Sequence, residues 1–155
     1  MRGTVKHHQI LPDPKFNQEI VTKFVNNLML QGKKSLAFDI FYEAIDIIKE
    51  KKTDEDPVEV FKKGLANATP AVEVRSRRIG GATFQIPSDI PPARKQSIGM
   101  KSLIAAARKR HEKTMAAKLA AEVLQAYNEE GAAVKRKEET HRMADANKAF
   151  SHFKF

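Results

Sequence analysis

Apolar residues recur at three- and four-residue steps through Ile20, Val21, Phe24, Val25, Leu28 and Met29, the period of one helix face, with Asn17 placed to cap that helix and Gly32 to stop it. A second stripe, Phe38, Phe41, Ala44, Ile45 and Ile48, follows Ser35 as its candidate cap and leaves most acidic residues off the stripe. The link "GKKS" is short, which predicts an antiparallel pair. Asp56, Pro57 and Glu59 supply a cap, a proline at the first helical position and a capping-box glutamate for a short third helix ending near Thr69 and Pro70. A fourth helix is expected from about Pro92 to Arg110, with a narrow stripe because Ile98 and Ile104 are interleaved with Lys101 and Arg108. Thr114 caps a fifth that turns Met115, Leu119, Val123 and Tyr127 inward, with Gly131 placed to end it. Over residues 134–155 helix formers persist but only Met143, Ala144 and Phe150 stand out. That predicts a polar arm or a helix ordered by a partner.

One stretch breaks the helical period. In "VEVRSRRIGGATFQIP", residues 72–87, side chains alternate about a strand: Val72, Val74, Ser76 and Arg78 on one face, Glu73, Arg75, Arg77 and Ile79 on the other. Gly80-Gly81 suits the positive φ angles of a tight turn, and residues 83–86 return with Phe84 and Ile86 on a common face. A lone hairpin is marginally stable in water, so its valines are expected to anchor it on the helices. The expected fold is mainly α: a single domain over 1–155, a bundle of about six helices with a protruding two-stranded β-hairpin arm at about 72–87 and a C-terminal helical arm at about 134–155.

Charge changes the picture from fold to partner. The chain has 155 residues, 28 Lys+Arg against 19 Asp+Glu and a net charge of +9, which favours a polyanion, nucleic acid before an anionic membrane. Residues 73–118 carry 11 Lys+Arg against Glu73, Asp89 and Glu112 and so hold most of that excess, whereas residues 43–59 carry 7 acidic residues against three lysines. A binding side and an indifferent side are expected. Three guanidiniums, Arg75, Arg77 and Arg78, are costly to bury and suited to bidentate phosphate contact. Read as a solvated edge, they would only deter aggregation. Arg108, Lys109, Arg110 and Lys113 gather at a helix end, where the macrodipole alone also favours cations. Lys33-Lys34, Arg94-Lys95 and Lys135-Arg136-Lys137 fall at helix junctions.

Other chemistry finds little footing. With no cysteine there is no disulfide, thiolate ligand or thiol nucleophile, which fits a reducing, cytoplasmic setting. Histidines 7, 8, 111, 141 and 152 lack the spacing of two ligands on one helix face. "DEDP" lacks the glycine and distal glutamate of a calcium loop, and "GKKS" lacks the upstream glycine of a phosphate-binding loop. No apolar run approaches the ~20 residues that span a bilayer, nor does the N-terminus read as a signal peptide, so a soluble chain is expected. An architectural DNA-binding arm would want an apolar wedge where Gly80-Gly81 stands. A nuclease would need more than Glu73 and Asp89, the two carboxylates between Asn67 and Lys109.

In order and spacing, "ILPDPKF", "KFVNNLM", "GKKS", "VEVRSRRIGGATFQIP", "AARKRHEKTMAAKLAAE", "AVKRKEETHRMADANKAF" and "SHFKF" resemble the bacterial small-subunit ribosomal protein seven family nearly end to end. The resemblance implies a non-enzymatic constituent of the cytoplasmic ribosome without cofactor, membrane or small-molecule substrate. It implies binding to the 3′ major (head) domain of small-subunit rRNA, early enough to nucleate head assembly, beside neighbouring head and platform ribosomal proteins. It also implies that the hairpin and the C-terminal helix lie near the exit-site tRNA and the mRNA exit path. By matched position, Arg75, Arg77 and Arg78 belong to the hairpin, with Ile79, Gly80, Gly81 and Ala82 at its tip. Lys33, Lys34, Arg94, Lys95, Arg108, Lys109, Arg110 and Lys113 match the rRNA-facing surface. Lys135, Arg136, Lys137, His141, Arg142, Asn147 and Lys148 belong to the C-terminal arm. The N-terminal tail contributes only Arg2 and Lys6 where relatives have a denser basic run, and the end reads Phe153-Lys154-Phe155 where Tyr-Arg-Trp is common.

Overall fold

A computed structural model of the chain describes Gly3 and residues 8–153; Arg2, Lys6, His7, Lys154 and Phe155 therefore lie outside the described residues. The elements run α1 (Glu19–Leu28), α2 (Lys34–Lys51), α3 (Pro57–Ala68), β1 (Val72–Ile79), β2 (Ala82–Asp89), α4 (Pro92–Arg108), α5 (Met115–Tyr127), α6 (Gly131–Ala146) and a 3-10 segment, Lys148–Phe153. The mainly helical fold with one antiparallel hairpin is the one expected.

Two predicted caps form as read. Asp56 accepts the Val58 N–H at 3.0 Å with Pro57 at the first position of α3, and Thr114 Oγ1 accepts the Ala117 N–H at 3.2 Å. Glu59, instead of closing a capping box, pairs with Lys62 at 2.7 Å. Others are corrected. Asn17 takes a left-handed φ of 53° and caps nothing; the buried Asp13 carboxylate accepts the N–H groups of Lys15, Phe16 and Gln18 at 2.9–3.1 Å, and the Tyr42 hydroxyl at 3.2 Å. Burial, then the Asp13 charge beside it, raises the Tyr42 pKa. Ser35 lies inside the first turn of α2, which starts without a side-chain cap, and α1 ends at Leu28, before Gly32. Gly131 opens α6 rather than closing α5.

Helix α5 is the centre. It packs against α2, α3, α4 and α6, whereas α2 touches α1, α3 and α5 but neither α4, α6 nor the hairpin. Alanines make this possible: Ala116, Ala120 and Ala126 are buried beside Leu119 and Val123, and they let neighbouring backbones approach closely. At the junction of α1, α2 and α3, Phe24, Phe41 and Phe61 meet with centroids 4.9–5.6 Å apart, mostly edge to face. The stripe of α4 is broader than its sequence suggests, because Met100, Leu103, Ile104 and Ala107 face the core while Ile98 stays half-buried at its edge.

A fully buried carboxylate closes this core. Glu122 of α5 accepts from Arg110 Nη1 at 2.9 Å with Oε2 and from the Ala133 backbone N–H at 2.9 Å with Oε1. Arg110 completes its set on Gln125 at 2.8 Å and on Glu112 at 2.8–3.2 Å. The ion pair thus fastens the exit of α4, the middle of α5 and the start of α6. The hydrogen bond from Arg110 is also the largest cause holding the Glu112 carboxyl below its usual range.

Removing one partner of a buried pair strands the other, so Glu122→Ala should cost about 3 kcal/mol in denaturant unfolding, the low end for such losses because Glu112 still holds Arg110. A depressed carboxylate stabilises above its unfolded pKa and loses that contribution as pH falls through the folded one. Glu112→Gln should therefore lower the thermal midpoint at pH 7, and the difference from the parent should start to shrink as pH falls through the ordinary glutamate range and vanish only below the lowered folded pKa.

Candidate nucleic-acid interface

The hairpin is built on a register of Val72↔Asp89 through Ile79↔Ala82, with Gly80 and Gly81 at φ 58° and 87°. Both central residues in left-handed conformation make the type I′ turn that matches strand twist, so the arm ends without a side chain. Its anchor differs from expectation. Val72 and Val74 are only half-buried, and the buried positions are Ile86 and Pro87 on the returning strand, followed by Ile90. Ile86 faces Arg75 across the ladder, and Phe84 faces Arg77.

The arginines have different surroundings. Arg75 donates to Glu73 Oε1 from Nε at 2.6 Å, and Arg94, at the start of α4, reaches Glu73 Oε2 at 3.1 Å. Arg77 donates from Nη1 to the Phe153 carbonyl at 2.8 Å. Arg78 is exposed opposite Thr83.

The C-terminal arm is ordered by the chain itself. Phe84 packs against Phe150 and Phe153, centroids 5.2 and 6.0 Å apart, so the 3-10 segment closes on the hairpin instead of waiting for a partner. Within α6, His141 Nε2 accepts the Ala71 N–H at 3.1 Å, and Lys137 donates to the Asn67 carbonyl at 2.8 Å, two bonds that hold the entry to the hairpin. Asn147 caps the end of α6 through the Met143 carbonyl at 2.8 Å. Lys135, Arg136, Arg142 and Lys148 remain exposed.

Helix α4 is the spine of the basic surface. Its 17 residues span about 25 Å at 1.5 Å per residue, from Arg94 and Lys95 past Lys101 to Arg108 and Lys109. Along one side, Lys101 and Lys109 line adjoining clefts shared with Lys135 and Arg136 of α6. On the other side, Arg108 donates to the Leu28 carbonyl at 3.1 Å and lines a cleft with Lys33 and the exposed Leu30 and Leu36. Lys34 and Lys113 are exposed nearby in sequence on α2 and before α5. Arg110 is the exception in the basic run, turned inward to three side chains. Lys101 and Glu73 are the residues the pattern undervalued: one looked like a break in an apolar stripe, the other like a lone acid among arginines. Spacing on the same strand face, two residues from Arg75, is the signal for Glu73. Among the described residues no group of three His, Asp or Glu could hold a metal ion, and no helix is long and apolar enough to cross a membrane.

Residues 1–148 match the family described as "Ribosomal protein S7p/S5e". Similar proteins include the small ribosomal subunit protein uS7 of Christiangramia forsetii, 62% identical over 152 residues that cover 97% of this chain and 96% of the relative. The protein of the same name from Flavobacterium psychrophilum is 59% identical over 156 residues, 99% of both chains. That of Porphyromonas gingivalis is 60% identical over 152 residues, covering 97% of this chain and 96% of the relative.

The aromatic closure is the part of this surface that can be opened alone. Phe84→Ala removes contacts worth about 1 kcal/mol, so tryptic cleavage after Lys148 should accelerate roughly fivefold while the thermal midpoint of the bundle moves by only a few degrees.

Proposed function

The chain belongs to the ribosomal protein S7p/S5e family, and from that premise we propose that it binds the 3′ major (head) domain of small-subunit rRNA, nucleates assembly of the head, and holds its hairpin near the exit-site tRNA and the mRNA exit path. The family is structural and not enzymatic, and its work is done by shape and phosphate contact. The whole of 1–155 acts as one rRNA-binding domain of the bacterial, cytoplasmic small subunit, beside neighbouring head and platform proteins.

One observation supports the reading above all: Lys101 and Lys109 of α4 line adjoining clefts with Lys135 and Arg136 of α6, so cations far apart in sequence face one side together. In this reading the rRNA contacts are Lys33, Lys34, Arg94, Lys95, Lys101, Arg108, Lys109 and Lys113, with Arg75, Arg77 and Arg78 on the arm. Exposed Lys135, Arg136, Arg142 and Lys148 extend the surface along α6. The tip, Ile79 to Ala82, reaches past the body toward tRNA and mRNA. Arg110 supports the surface from behind without entering it.

Titration of a head-domain rRNA fragment across a salt series tests this. If six to eight phosphates are met, log affinity should fall against log salt with a slope of about −5 to −7, at ~0.9 counterion per contact. Arg78→Ala should reduce that slope by about one, and Arg77→Ala by a similar amount. Unchanged affinity and slope in both would remove the hairpin from the rRNA interface.

A further inference from the structure

A carboxylate in the middle of a basic arm is, by Coulomb's law alone, an obstacle to binding a polyanion. Glu73 nevertheless lies inward, its side chain 15% exposed, and spends each oxygen on a different arginine from a different element. Oε1 takes Arg75 of β1 and Oε2 takes Arg94 of α4. The two guanidiniums stay 40% and 51% exposed at the side-chain level, so donors that Glu73 does not use reach solvent. An arginine has five N–H donors in a fixed plane, and neither partner exhausts them.

Two consequences follow. A free arginine loses rotamer entropy on meeting a phosphate; one already held by a carboxylate has lost much of it in folding. Glu73 also lies near the base of the arm. From Glu73 to Ile79 the strand rises about 20 Å at ~3.4 Å per residue, so a swing of about 10° at the base would displace the tip by about 3.5 Å. That exceeds the tolerance of a hydrogen bond.

We propose that Glu73 is a positioning residue for RNA binding: by bridging Arg75 and Arg94 it presents two guanidiniums as an ordered pair and fixes the angle of the hairpin to α4. The proposal rests on the rRNA-binding reading and deepens it. It reverses the Coulombic expectation, because removing this negative charge from a basic surface weakens the complex.

The full chain is titrated with the same head-domain rRNA fragment, comparing Glu73→Ala and the shape-conserving Glu73→Gln with the parent. Both variants should bind roughly tenfold more weakly, since two ordered side chains are released, while the salt slope stays unchanged because no cation has been removed. The Nε–H resonances of Arg75 and Arg94 should move toward those of solvated arginine. In an R75Q/R94Q background, Glu73→Gln should cause no further loss. Equal or tighter binding by Glu73→Gln overturns the proposal, as does a tenfold loss that persists without the two arginines. A thermal midpoint lowered by more than a few degrees would make Glu73 a residue of the fold and overturn it too. Failure of the parent chain to bind the fragment would instead remove the rRNA reading itself.

Discussion

The arrangement depends on burying one negative charge. Glu122 is fully enclosed in a mostly apolar helix, and such a carboxylate is tolerable only when its lone pairs are met. Arg110 meets one oxygen and the Ala133 amide the other, so the chain must leave α4, pass through α5 and start α6 along one route. The direction of α6 follows from that route, and with it the placement of Lys135 and Arg136 beside Lys101 and Lys109. An interaction hidden from solvent thus decides which cations face it together. It also separates Arg110 from its neighbours in the "ARKR" run, one guanidinium being retained by the fold.

The hairpin obeys a second constraint, that two strands alone are marginal. It is held at three heights. At the base Ile90 is buried and Glu73 ties β1 to α4, just above them Pro87 and Ile86 are buried, and Phe84 meets Phe150 and Phe153 further out. Beyond Phe84 the ladder has two more pairs, Arg78↔Thr83 and Ile79↔Ala82, and then the turn. The arm is thus stiff at its base and bare at its end.

Much of this was legible where it was local. Helical period located five helices, Asp56 and Thr114 announced their caps, and Val-Glu-Val-Arg followed by Gly-Gly announced a hairpin, because each signal involves residues a few positions apart. Asn17, Ser35, Gly32 and Gly131 misled for the complementary reason: each fits a cap by local pattern, but where these helices start and stop follows from packing across the bundle, and α1 and α2 start with no side-chain cap at all. Asp13 orders the turn that precedes α1, and Tyr42, 29 residues on, helps hold it. The order of the C-terminal segment depends on Phe84, on another element. Glu122, within an alanine-rich run, has its partners Arg110 and Ala133 twelve and eleven residues away, beyond the reach of a local pattern. The basic side was legible as charge density, but which cations share a groove required the helix directions, and the inward turn of Arg110 required its three partners.

The uneven spread of charge along the chain has a consequence beyond contact. Residues 72–155 carry 17 Lys+Arg against 9 Asp+Glu, while residues 1–71 carry 11 against 10, so nearly all of the net charge sits on the half that holds the hairpin, α4, α5 and α6. In the field of a polyanion, net charge draws a molecule in and an uneven distribution of that charge exerts a torque that turns it. A molecule charged in this way loses fewer encounters with a polyanion to rotational search.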